Sequence, residues 1–223
     1  MRSRKIVFFF PAFSSSEATA PLGILALATP LLRAGFDVRI VDSTITPNFR
    51  SRVIEELKDA LCLAVSLVTG PMIRETVQIA RLAKSLYPDK PVILGGWHPS
   101  LLPDQTLAAE YVDVVVQGQG EETMLEVAER VEAGESFEGI PGVGYKEDGK
   151  LRFNTPRTLK PIRELPPKAY QLADFDVSGG GRRCHFGGVV RARPPLAAWR
   201  RVAQAGARGI AAARSFRYEF FKA

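Results

Sequence analysis

The sequence predicts an α/β fold: a doubly wound, five-stranded parallel sheet of order 2-1-3-4-5, Rossmann-like in layout, followed by a β-hairpin and an irregular basic tail. Three observations carry this. Up to about residue 135, short runs rich in β-branched and aromatic residues alternate with amphipathic stretches of helical period. The runs are apolar at consecutive positions, which is how strands buried on both faces read. The connections are short, and strand–helix–strand units joined this way form parallel sheets with right-handed crossovers. The order 2-1-3-4-5 is preferred because no glycine fingerprint of a dinucleotide fold follows the first strand.

The first strand is KIVFFF (5–10). Basic residues followed by an apolar run have the order of a secretion signal, but a run of about seven β-rich residues is a strand. A helix over 23–34 follows, with Gly35 where a left-handed cap is wanted. Then come DVRIVD (37–42), a helix over 50–60, LCLAVSLV (61–68) and a helix over 72–86 stopped by Pro88. PVILGG (91–96), a short helix over 104–110, VDVVVQG (112–118) and a helix over 121–132 complete the alternation. After Gly134 the pattern changes. VGYKEDGKLRF is two alternating runs joined by Asp148-Gly149, a two-residue hairpin signal, and is expected on or near the sheet edge. The proline-rich LKPIRELPPKAY reads as an extended linker leaving the domain. The expected division is therefore an α/β domain over 1–135, a hairpin and linker over 136–176, and a poorly structured tail over 177–223 with one helix near 196–205.

The formal charge of +6 over 223 residues would suggest a nucleic-acid partner if it were spread through the fold. It is not. Residues 180–223 hold nine Arg and one Lys against Glu219, a net of +9, which leaves residues 1–179 at −3. No reader motif accompanies those arginines, so no specific nucleic-acid partner is expected. Two cysteines, Cys62 and Cys184, are too few for a disulfide framework or a zinc site and suit a reducing cytoplasm. No stretch approaches the roughly 20 apolar residues of a membrane span.

Ligands of open parallel sheets sit at the carboxyl ends of the strands. Small or polar groups gather there. The first strand leads to a polar loop closing on Pro21, Leu22 and Gly23; the third leads to Ser66, Val68, Thr69 and Gly70. The fourth leads to Gly95, Gly96, Trp97 and His98, and the fifth to Gln117, Gly118, Gly120, Glu121 and Glu122. Glycine at a strand end lets a flat ligand approach the backbone, and hydroxyls there can bond a ring nitrogen. The competing explanation is structural: glycines make turns, Glu121 and Glu122 favour a helix N-terminus, and Trp97 is as readily core as pocket wall.

The stretches APLGILALATPLLRAGFDVRIVD, SLVTGPMIRETVQIARLAK, VILGGWHPSLLPDQTL, VDVVVQGQGEETMLEVAERV and IPGVGYKEDGK together resemble the cobalamin (B12)-binding domain that precedes the catalytic barrel in B12-dependent radical SAM proteins. The resemblance covers roughly residues 5–175. It implies cobalamin as the cofactor, with Ser66, Thr69 and Gly70 along the dimethylbenzimidazole tail and Gly95 and Gly96 flooring its pocket. Gln117 to Glu122 would line the far side, and Pro21 to Gly23 would approach the corrin face. Relatives that ligate cobalt by histidine carry Asp-x-His-x-x-Gly after the first strand. Here that loop is FSSSEATAPLG, which implies base-off cobalamin with no protein ligand on cobalt; His98, after the fourth strand, is a poor candidate for one and fits a pocket or capping role. A radical SAM cluster needs three thiolates, so no iron-sulfur cluster is expected in this chain and a separate radical SAM barrel is a candidate partner. No catalytic residues and no nucleophile elbow or phosphate loop are found. Two rival readings remain: a nucleotide- or flavin-binding transferase or reductase on the same strand ends, and a remnant of a truncated gene that folds and binds nothing.

Overall fold

The computed structural model describes residues 3–13 and 21–169, together with the backbone pairing of two short strands at 175–176 and 183–184. The elements run β1 (Lys5–Phe10), α1 (Leu22–Arg33), β2 (Asp37–Asp42), α2 (Phe49–Leu57), β3 (Cys62–Ser66), α3 (Met72–Leu86) and β4 (Val92–Gly95). They continue with α4 (Trp97–Leu101), α5 (Pro103–Ala108), β5 (Val114–Val116), α6 (Glu121–Ala133), β6 (Val143–Glu147) and β7 (Lys150–Phe153). Five strands are parallel in the order 2-1-3-4-5. The expected helix near 196–205 lies outside the described residues.

Each central strand is buried on both faces, and the register sorts its side chains into two sets. Val7, Phe9, Leu63, Val65, Val92, Leu94 and Val115 belong to one core with Val53 and Leu57 of α2 and Ile79 and Ala80 of α3. The alternate residues, Phe8, Ala64, Ile93 and Val114, stand in one row across the sheet, with Ser66, Gly95 and Val116 in the row nearer the carboxyl ends. On that second face α1 packs against α6, burying Ile24, Leu25 and Ala28 of one and Met124, Val127 and Ala128 of the other.

The hairpin does more than sit near the edge. β6 pairs antiparallel with β5, Val116 opposite Val143, and β7 with β6, so the sheet has seven strands. Asp148 (φ +50°) and Gly149 (φ +72°) both take the left-handed conformation that a tight two-residue hairpin requires.

Two expectations are corrected. A one-turn helix, α4, occupies Trp97–Leu101 where a loop was expected; five residues are too few to display a helical period. Residues 154–169 do not leave the domain as a linker. They form a strap across the α1/α6 face, held by ion pairs of Arg157 with Glu126 (2.7 Å) and Glu122 (3.4 Å). Further along, Pro167 O accepts from Thr29 Oγ1 at 2.5 Å and the Ala169 N–H donates to Leu25 O at 2.9 Å, with Ala169 buried. Prolines leave a segment no helix to form, but they do not stop it packing. Among the described residues no helix is long and apolar enough to cross a membrane.

Candidate cofactor-binding site

A cavity of about 290 Å³ opens at the carboxyl ends of β1, β3, β4 and β5, between the sheet and the α1/α6 pair. Its walls come from both rows of the second sheet face: Phe8, Ala64 and Ile93 below, and Ser66, Gly95 and Val116 above. Gly23 and Leu27 of α1 close one side; Gly118, Gln119, Gly120, Glu121 and Met124 close the other; Gly96 and Trp97 stand at the top. The size lies at the low end of the ~300–1,000 Å³ of small-molecule sites, room for one flat two-ring group and not for a macrocycle.

The two adjacent glycines differ in what they do. A Cβ on Gly96 (φ +96°) would lie 2.6 Å from Leu67 O and 3.0 Å from Leu67 N, so the backbone of the β3–α3 connection, not a ligand, excludes a side chain there. This corrects the expectation that Gly96 is bare for the ligand's sake. Gly95 is the opposite case. A Cβ there meets Val116 O at 3.6 Å and Val116 Cβ at 3.7 Å, ordinary contacts, and one on Gly23 meets only Ser66 Oγ at 3.7 Å. The fold leaves room for a Cβ at both positions, yet both are bare where they face the cavity.

Of the residues singled out from the sequence, Gly23, Ser66, Gly95, Gly96, Trp97, Gly118, Gly120 and Glu121 line this cavity. Trp97 is 72% exposed, which removes its reading as core. Pro21 caps α1, its carbonyl accepting from the Leu25 N–H at 3.0 Å, and Leu22 is exposed on the first turn. Val68 packs toward the opposite core, and Thr69 and Gly70 are exposed in the β3–α3 connection. His98 shares a hydrogen bond with Thr69 through Nδ1 and Oγ1 at 3.1 Å, joining two strand-end loops outside the cavity wall. Gln117 donates its N–H to Gly142 O at 2.8 Å. Glu122 pairs with Lys160 at 2.6 Å, and that hydrogen bond holds its carboxyl below the usual range.

The apolar walls Phe8, Leu27, Ala64, Ile93, Val116 and Met124 were not singled out from the sequence. Their strands are apolar throughout, so no alternation marks which residues share a face. Gln119 is set by the strap: its Oε1 accepts from the Lys160 N–H at 2.6 Å and its Nε2 donates to Lys160 O at 2.7 Å. Cys62 is fully buried, and desolvation pushes its thiol up to about 12, so it is core. Among the described residues no three His, Cys, Asp or Glu side chains come together as a metal site.

An open, mostly parallel sheet with a narrow, mostly apolar slot at its strand ends has the layout in which α/β domains hold small-molecule ligands. The B12-binding domain family matches residues 13–128, and the chain belongs to that family. Cobalamin is therefore its cofactor class. The chain is 30% identical over 186 residues to an uncharacterized methyltransferase, PH0819, of Pyrococcus horikoshii, covering 79% of this chain and 40% of that one. It is 24% identical to the anaerobic magnesium-protoporphyrin IX monomethyl ester cyclase of a Synechocystis species, covering 74% and 34%. Among solved structures, TsrM from Kitasatospora setae, a radical S-adenosylmethionine methyltransferase with cobalamin and a 4Fe-4S cluster bound, superimposes with a TM-score of 0.60 at 24% identity, over 74% of this chain and 31% of TsrM. OxsB, a cobalamin-dependent S-adenosylmethionine radical enzyme with aqua-cobalamin bound, gives 0.62 at 16% identity, over 75% and 24%. The chain thus spans between a quarter and two fifths of the length of these proteins.

Proposed function

We propose that this chain holds cobalamin base-off, with its nucleotide base in the slot between the sheet and α1/α6 and with no protein nitrogen on cobalt, and that it serves a radical SAM barrel. The slot carries this reading: its volume suits a two-ring base, and Gly23 and Gly95 are bare where the fold does not require it. Ser66 Oγ faces the same space and can donate to a base nitrogen. Gly96, Gly118 and Gly120 shape the mouth, with Trp97 and Glu121 at its rim. The bound group supplies a redox-active, carbon-binding cobalt; the residues of this chain bind it, orient it and keep its base from solvent.

The first loop supports the absence of a protein ligand, since FSSSEATAPLG contains no histidine. His98 is engaged with Thr69 away from the cavity wall. The test is spectroscopic. The purified chain, incubated with aquacobalamin and desalted, is expected to retain corrinoid at about one per chain, and its Co(II) form to give an electron paramagnetic resonance spectrum without nitrogen superhyperfine splitting. Splitting from an axial nitrogen would overturn the base-off assignment. A colourless eluate would overturn cobalamin binding altogether.

A further inference from the structure

We infer that this domain selects corrinoids by their lower base, accepting a benzimidazole and discriminating against a purine; the inference rests on the corrinoid reading above. The slot has a gradient of polarity. Its deep wall is hydrocarbon and thioether, contributed by four elements: Phe8 of β1, Ala64 of β3, Ile93 of β4 and Met124 of α6, each at most 3% exposed. The backbone amides beneath them are engaged in the sheet ladder, so they offer nothing to a ligand. Polar side chains stand only higher up.

Those upper groups are Gln119, Glu121 and Ser66. Gln119 spends one N–H and one lone pair of its amide on the Lys160 backbone, which fixes the side chain at the upper wall. Glu121 lies on the first turn of α6, at the rim. Ser66 Oγ remains, one register row above Ala64, and hydrogen-bonds to none of the described residues. A ring that enters the slot can therefore satisfy a nitrogen near the mouth and none at depth.

Benzimidazole matches that distribution. Its imidazole nitrogen meets the hydroxyl of Ser66, and its six-membered ring offers only C–H or methyl groups to Phe8, Ile93 and Met124. A purine in the same slot carries ring nitrogens, and in adenine an amine, on the six-membered ring, and these would lose water without gaining a partner. Each such orphaned group weakens binding by about tenfold or more.

The full-length chain is titrated spectroscopically with cobalamin, with an adenine-containing cobamide, and with cobinamide, which has no base. Cobalamin is expected to bind at least about tenfold more tightly than the adenine cobamide, and cobinamide more weakly than cobalamin. Ala64→Ser and Met124→Gln each set a polar group on the deep wall with little change of volume. Whichever variant keeps the parent's circular dichroism is expected to narrow the cobalamin-to-adenine ratio. Equal affinity for the two cobamides in the parent chain would overturn the selectivity while leaving corrinoid binding intact. Cobinamide binding as tightly as cobalamin would overturn it too, because the slot would then not hold a base. Failure to retain any of the three would overturn the corrinoid reading itself, and the selectivity with it.

Discussion

Gly95 and Gly96 show how two identical neighbours can be separated by what a side chain would touch. At Gly96 the added Cβ collides with Leu67 backbone and the positive φ is unfavourable for other residues, so Gly96→Ala is expected to lower stability by about 1–3 kcal/mol in urea denaturation. At Gly95 the contacts are ordinary, so Gly95→Leu is expected to fold with a near-parent melting curve while filling the slot and losing corrinoid. Unchanged corrinoid retention in a folded Gly95→Leu chain would place the pocket elsewhere. Asp42 provides a pH test. It is 2% exposed, and burial raises its carboxyl above 3.8, with Glu75 adding to the shift and the Thr44 hydrogen bonds opposing it. A raised folded value means that ionisation costs stability as pH rises through that value. Asp42→Asn keeps an oxygen to accept from Thr44 N (2.8 Å) and Oγ1 (2.6 Å), so its stability relative to the parent is expected to improve from about pH 3 to about pH 7. Denaturation curves at the two pH values with the opposite trend would show that Asp42 is better solvated than its burial implies.

At the scale of elements, the strap over residues 154–169 ties the slot to chain well beyond residue 128, where the family match stops. Arg157, with its side chain 15% exposed, donates to Thr123 Oγ1 at 2.7 Å and to Glu126 at 2.7 Å, while Lys160 fixes Gln119 at the slot wall. Charged hydrogen bonds of this kind are worth about 1.5–3 kcal/mol, so Arg157→Ala is expected to destabilise the chain by that order and to weaken corrinoid retention. Urea denaturation with parallel desalting measures both, and a variant unchanged in each would show that the strap lies on the fold without supporting it. The signals for its two ends were visible as a hairpin turn and a proline cluster. Its path was not, because Arg157 meets Glu126 and Pro167 meets Thr29 only after α1 and α6 have packed.

For the whole molecule, the domain division expected from the sequence leads to two measurable outcomes. The purified, iron-reconstituted chain is expected not to cleave S-adenosylmethionine, since three thiolates are needed for the cluster and the sequence has two cysteines, one of them the buried Cys62. Detection of 5′-deoxyadenosine would overturn this. A version ending near Gly179 is expected to retain corrinoid as the full chain does, because the slot is built from residues 8 to 124 and its strap ends by residue 169. Loss of corrinoid by a folded truncation would assign the arginine-rich segment a part in binding.

The sequence by itself determined the α/β class, the five parallel strands and their order, the hairpin turn at Asp148-Gly149 and the glycine-rich strand ends, because each rests on periodicity, turn chemistry or strand-end position, which are local. Only the tertiary structure decided which half of each strand faces the slot. In a strand buried on both sides Phe8 and Phe9 are chemically alike, and they are told apart by the helices that cover them, α1 and α6 on one face and α2 and α3 on the other. The same reason separates Gly95 from Gly96: the atoms that decide their roles belong to Val116 and Leu67, which the chain brings beside them by folding.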